Sequence, residues 1–244
     1  MRVKYPVRWL EDRREMLVAN ANCREHYYDM TAYADRAGKI LAFDAKAIVD
    51  TGSYSAYPFT AAIEASQVSA ILPGPYDIPV YRCVTSAVAT NTAPQLPYRG
   101  VARPGCCYAM ELMVDAIARE IGREPHEVRT VNLVRPEQMP YDNVTDNHFD
   151  SGDYPQLLRM AVEAIDASGV RARQRCDESD GRLIGLGMSI FSEQTGHGMT
   201  ADGKRRVVEV GTDQRDYLVP TTIARFDRRL DIKSEWFSIE DSDA

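Results

Sequence analysis

The sequence predicts an α+β fold in which antiparallel or mixed sheets pack against helices. Two patterns and one boundary carry that prediction. Before Pro104 the apolar residues fall in short runs rich in β-formers, and after it they recur every three or four residues. The boundary is the run Asn91–Gly105, where Pro94, Pro97 and Pro104 fix φ and deter helix.

The elements follow in order. His26–Tyr33 is rich in β-formers, Asp35-Arg36-Ala37-Gly38 reads as a turn, and Lys39–Thr51 resumes with Ile40, Phe43, Ile48 and Val49. Together they predict a long antiparallel hairpin within Glu25–Ala56. Val80–Ala89 is a further strand of the same antiparallel set, with Pro79 at its entrance.

Beyond the boundary, Gly105–Ile121 places Met110, Met113, Val114, Ile117 and Ile121 on one helical face. Glu111, Asp115 and Arg119 then fall away from it, with Asp115 and Arg119 at ion-pair spacing. Gly122 supplies a stop. Pro125 suits the first turn of a short helix to about Leu133, with Glu124 as its start signal. After the irregular stretch Arg135–Asn147, Asp153 can cap a helix with Pro155 in its first turn and Gly169 as its end. A charged linker, Arg171–Asp180, leads to a strand over Arg182–Phe191. From Met199 onward no period is sustained, although Thr222–Phe237 contains strand-like pieces.

Composition narrows the function. A net charge of −7 with no long basic run argues against nucleic acid. No apolar stretch approaches the roughly 20 residues a membrane span needs. Five cysteines without CxxC spacing or a preceding signal peptide read as reduced thiols of a cytoplasmic protein. Cys106 and Cys107 fall in the first turn of a mostly buried helix, where free thiols act as small hydrophobes. His26, His126 and His148 lack mutual ligand spacing, so no protein-bound metal is expected, and no residue is identified as catalytic.

The proline-spaced loop is the most informative segment. It carries Arg99, Gly100, Arg103 and Gly105 to the start of a helix, an arrangement that brings backbone amides and a guanidinium fork to an anion. The same residues also suit an ordinary surface connection whose arginines are solvated.

NTAPQLPYRGVARP (residues 91–104) resembles the AYRG-x-GRPE loop of the molybdopterin-binding large subunit in the xanthine dehydrogenase/aldehyde oxidase family, the molybdenum hydroxylases. Four further stretches match that family in the same order: PVRWLEDRRE from Pro6, PGPYDIP from Pro73, RTVNL from Arg129 and DSGDY from Asp150. The resemblance covers roughly residues 5–198, and five collinear motifs are more specific than any one of them.

The resemblance implies a molybdenum–molybdopterin cofactor, expected as a dinucleotide, that oxidises an electrophilic carbon. Electrons would leave through iron–sulfur clusters and FAD, or another acceptor, on partner subunits. By the same resemblance Arg99 and Gly100 bind cofactor. Val101 stands where some members place a substrate-stacking aromatic, and Gln67 where xanthine enzymes carry a substrate-orienting arginine. An aldehyde or neutral N-heterocycle is therefore expected rather than a purine. The carbon-monoxide dehydrogenases of the family have a metal-binding cysteine where Gly100 stands, which disfavours the CO reaction. His197, in Glu193-Gln194-Thr195-Gly196-His197-Gly198, matches a loop lining the substrate funnel, although a histidine between glycines also suits a solvent-facing turn.

The family's GGFGGK loop would lie upstream of Tyr5, and a GQG motif would follow sequence like Pro220-Thr221-Thr222; neither is present, nor is the domain of the catalytic glutamate. The chain is thus expected to be an internal piece of a longer subunit, either a truncated reading frame or one member of a split subunit. Residues 1–198 are expected to form a partial molybdopterin-binding domain and residues 199–244 a degenerate or poorly ordered C-terminal segment. The chain alone is expected to be inactive and marginally stable, with apolar surfaces that the remaining parts of the subunit would cover.

Overall fold

A computed structural model describes residues 4–55, 63–176, 183–193 and 238–239. The expected C-terminal segment, with its strand-like pieces, lies outside the described residues except at Ser238–Ile239.

A short helix, α1 (Arg13–Ala19), precedes the predicted hairpin of β1 (His26–Ala34) and β2 (Ile40–Gly52). Its start was not anticipated, yet the signal is local: Asp12 accepts from the Glu15 amide at 2.8 Å and Glu15 returns the bond to the Asp12 amide at 3.0 Å. The hairpin pairs antiparallel from His26–Val49 to Ala34–Ile40, around a turn with Gly38 at φ +85°.

Next come α2 (Ile63–Ile71) and β3 (Tyr81–Ala89). β3 pairs with β2 in parallel, in register from Phe43–Tyr81 to Gly52–Ala89, and not antiparallel as the sequence suggested. The sheet is mixed because α2 makes the crossover that a parallel pair requires. No periodicity announced this helix: Glu64, Ala65, Val68, Ser69, Ala70 and Ile71 are all buried, so it lacks the polar face that marks an amphipathic segment.

The long α3 (Arg103–Ile121) ends at Gly122, φ +68°, and α4 (Pro125–Asn132) follows, its Glu124 amide bonded to Glu127 as the start signal implied. One 3₁₀ turn (Pro136–Gln138) and a small hairpin, β4 (Tyr141–Asp142) with β5 (His148–Phe149), occupy the irregular stretch. Asp153 caps α5 (Tyr154–Ala164) as predicted, its carboxylate accepting from the Gln156 amide at 2.8 Å. Gly169 does not end this helix. Asp166, at φ +49°, breaks it and caps α6 (Ala167–Gln174), accepting from the Gly169 amide, so the expected linker begins as helix. A two-residue strand, β6 (Ser238–Ile239), pairs parallel with β1, giving the order β3-β2-β1-β6.

α2 and α3 cover one face of this sheet. The core joins Ile40, Phe43, Val49 and Tyr81 of the strands to Val68, Leu72, Met110, Val114 and Ile117 of the helices. Asn132, fully buried, ties α4 to the hairpin. Its Oδ1 accepts from the Ile40 amide at 2.8 Å, and its Nδ2 donates to the Gly38 and Val128 carbonyls.

Of the strand predicted over Arg182–Phe191, the described residues, 183–191, form no strand, and side chains hold the segment 183–193 along α3. Arg129 donates to the Met188 carbonyl at 3.2 Å, the Ile190 amide donates to Glu111 at 2.9 Å, and Arg103 donates to the Ser192 carbonyl at 3.1 Å. Glu111, expected to face away from the core, is therefore buried and accepts from Arg129 at 2.8 Å and Tyr76 at 2.5 Å. Asp115 also turns to Arg129, at 2.7 Å, rather than pairing with Arg119.

A pH dependence follows from Asp77. Burial alone would raise its carboxyl, but hydrogen bonds from Tyr141 and Gln138 and the Lys39 ammonium outweigh that and hold it below the ordinary range. A carboxyl lowered in the folded state contributes stability above its unfolded pKa of about 3.9 and loses it as pH falls toward the folded value. Asp77→Asn is expected to flatten the stability profile below about pH 4; urea melts across pH 2–6 check it, and an unchanged acid limb would sink the assignment.

Candidate functional site

The candidate site is the loop from β3 into α3. Its first part is laid against β2: the Gln95 amide donates to the Thr51 carbonyl at 3.2 Å and the Ser53 amide to the Thr92 carbonyl at 3.2 Å. Asn22 then pairs along it, donating to the Pro94 carbonyl at 3.0 Å and accepting from the Leu96 amide at 2.9 Å. The prolines and these backbone bonds leave the loop little freedom before Tyr98.

Tyr98–Val101 is a tight turn. The Val101 amide donates to the Tyr98 carbonyl at 3.0 Å, and Gly100 at the third position has φ +84°, the type II requirement. Val101 follows at φ +50°, a left-handed conformation uncommon for a β-branched residue. The positive φ favours glycine here, whereas an added Cβ would meet only Pro104 Cδ closely, at 3.2 Å.

Arg99 is exposed, and its guanidinium meets no partner among the described residues. The Arg99 and Gly100 amides likewise donate to none of them. A guanidinium and two amides on one glycine turn, none of them engaged among the described residues, are donors of the kind suited to an anionic group.

Of the other sequence-derived candidates, Gln67 on α2 reaches the same loop, its Oε1 accepting from the Ala102 amide at 3.4 Å. That contact places it at the end of the turn that Val101 closes, one residue beyond Val101. His197 lies outside the described residues. Among those described, no cluster of histidine, cysteine and acids could hold a metal ion.

Sequence reading missed the supports beneath the loop. His26 of β1 bonds Glu64 of α2 at 3.0 Å and Tyr28 at 2.9 Å, with Cys106 Sγ 3.7 Å from the Tyr28 hydroxyl. Gly105 is needed over this group, since a Cβ there would fall 2.3 Å from His26 Nδ1. Burial pushes the Cys106 thiol up to about 12 and the Cys83 thiol up to about 11, which makes both inert at neutral pH, as expected of buried thiols. The only sequence signal was Glu64 and Gln67 among small residues, spaced to share a helical face.

Beside the loop lies a cavity of about 110 Å³, lined by Tyr76, Arg103, Cys107, Phe149, Tyr154 and Phe191 among others. Arg103 pairs with Glu193 at 2.9 Å and so ties the start of α3 to the segment ahead of residue 194.

A mixed sheet backed by helices presents a proline-stiffened turn whose Arg99 side chain and whose Arg99 and Gly100 amides meet no partner among the described residues. The chain belongs to the molybdopterin cofactor-binding domain family, whose model matches residues 1–133. It is 33% identical over 195 residues to the nicotine 6-hydroxylase large subunit of Paenarthrobacter nicotinovorans, covering 80% of this chain and 24% of that one. It is 34% identical over 198 residues to the carbon monoxide dehydrogenase large chain of Hydrogenophaga pseudoflava, covering 79% and 24%. Among solved structures it superposes on quinoline 2-oxidoreductase from Pseudomonas putida 86 with a TM-score of 0.64 at 32% identity, over 68% of this chain and 21% of that one. The chain therefore spans about a quarter of the length of these relatives. Among the described residues no helix is long and apolar enough to cross a membrane.

Proposed function

We propose that this chain supplies the cofactor-contacting part of a molybdenum hydroxylase that oxidises an aldehyde or a neutral N-heterocycle at a molybdenum–pterin centre. The observation that carries the reading is that the Arg99 guanidinium and the amides of Arg99 and Gly100, on a turn with Gly100 at φ +84°, meet no partner among the described residues.

The bound group would supply the redox chemistry at the substrate carbon; the protein's part is to hold and orient it. Arg99 and the turn amides neutralise its anionic groups, and Gln67 buttresses the loop through the Ala102 amide. Gln67 offers an amide where a charged substrate would need a guanidinium, and Val101 offers no stacking ring, which favours neutral substrates over purines. Nicotine and quinoline, which name two of the relatives, are N-heterocycles. Gly100 places no thiolate beside Arg99, which argues against the CO reaction named for others. A dinucleotide form of the cofactor, an iron–sulfur subunit, an FAD subunit or other acceptor, and the remaining parts of the molybdopterin subunit complete the proposed assembly; a substrate-contacting role for His197, which lies outside the described residues, rests on the sequence resemblance alone.

The alternative is a non-catalytic module that docks to companion subunits. Purification of the complex from its native host, with assay of molybdenum and pterin, separates the two. The expected result is molybdenum and pterin together with iron–sulfur and flavin partners. Partners without cofactor would favour the docking module, and neither metal nor pterin with any partner would overturn the enzyme reading.

A further inference from the structure

We propose that Arg24 is a positioning residue that sets the peptide orientation of the cofactor turn and so aims the Arg99 and Gly100 amides at the ligand. The inference rests on the functional reading above. It deepens that reading by naming the residue through which the turn is held.

Arg24 precedes β1 by two residues and reaches across to the turn, 74 positions on in the chain. Its Nη2 donates to the Tyr98 carbonyl at 2.9 Å and to the Arg99 carbonyl at 2.5 Å. Its guanidinium carbon stands 5.3 Å from the centre of the Tyr98 ring, within range of a cation–π contact. In a trans peptide the carbonyl and the amide point in opposite directions. Holding the Tyr98 and Arg99 carbonyls on the Arg24 side therefore turns the amides of Arg99 and Gly100 to the other side, where neither meets a described residue.

Two further observations separate Arg24 from an ordinary surface arginine. Its backbone lies at φ +71°, a left-handed conformation that is unfavourable for a non-glycine residue and persists only where its surroundings impose it. Its Nε is buried without a hydrogen-bond partner, so the side chain is placed for its Nη2 contacts rather than for full satisfaction of its own donors. Asn22 is bonded to the loop on both sides through its backbone, which fixes the base from which Arg24 extends. A type II turn can flip its central peptide; one cationic donor shared by two successive carbonyls opposes that flip.

The test uses the protein purified with its companions, comparing wild type with Arg24→Met and Arg24→Lys. Molybdenum and pterin per chain are measured alongside a thermal melt. The expected result is a loss of about tenfold or more in cofactor content for Arg24→Met, the range seen when supports of bound groups are removed. Arg24→Lys, or guanidinium added to Arg24→Met, should recover part of it. Wild-type loading in Arg24→Met overturns the proposal, as does a loss that neither lysine nor guanidinium reverses. Wild-type protein lacking molybdenum and pterin would remove the functional reading itself, and this inference with it.

Discussion

Arg129→Met is expected to lower the stability of the chain by about 3–5 kcal/mol, the usual consequence of removing one partner from a buried ion pair. Arg129 has no exposed surface. It donates to Glu111 at 2.8 Å, to Asp115 at 2.7 Å, and to the carbonyls of Pro125 and Met188. Without it the Glu111 carboxylate stays buried against Tyr76 with its charge uncompensated. The loss is a large share of the roughly 5–15 kcal/mol that holds a typical domain together. Urea melts should show a lower midpoint with an unchanged slope. Because the cost is that of an orphaned charge, Arg129→Met combined with Glu111→Leu should regain part of it. A loss under about 1 kcal/mol, in the range of surface ion pairs, would show that the network is not what binds residues 188–190 to α3.

Gly52→Ala is expected to cost about 3 kcal/mol, through two effects of one to a few kcal/mol each. Gly52 lies at φ +72°, and an added Cβ would sit 2.2 Å from the Ala93 carbonyl oxygen and 2.6 Å from Pro94 Cα. Both obstacles are backbone, and the loop carrying them cannot yield easily. Its Thr90 amide donates to the Gly52 carbonyl, and Thr90 and Thr92 hydroxyls donate to Asp50. Displacement would pass along Pro94–Leu96 toward Arg99, so faster proteolysis within residues 90–97 should accompany the lower melting temperature. Gly52→Asn tests the cause. Asparagine tolerates the left-handed conformation but brings the same Cβ, so it should be nearly as harmful; recovery with asparagine would leave backbone strain as the whole effect.

Local chemistry was legible wherever a few neighbouring residues decide the outcome. The hairpin with its Gly38 turn, the Gly122 stop, the Asp153 cap and the proline-stiffened loop each depend on φ preferences or short-range hydrogen bonds. All are where the sequence placed them. The Gly169 stop failed because a glycine can equally fill the first turn of a helix when the residue before that turn, here Asp166, takes the left-handed position itself. The strand over 182–191 failed because β-forming residues specify a strand only where another strand offers its backbone. Here the side chains of Arg103, Glu111 and Arg129 reach the backbone instead.

By itself the sequence determined that a β-rich half gives way to a helical half at Pro104, and that a proline-stiffened loop carrying Arg99 and Gly100 joins them. These depend on covalent geometry and on contacts a few residues apart, which a linear text records. Only the tertiary structure decided that β3 runs parallel to β2, that Glu111 is buried, and that Arg24 holds the Tyr98 and Arg99 carbonyls. Such contacts join residues tens of positions apart, and nothing in the local pattern distinguishes an arginine that will clamp a turn from one that will remain in solvent. The difference lies in which surfaces the packed core brings together.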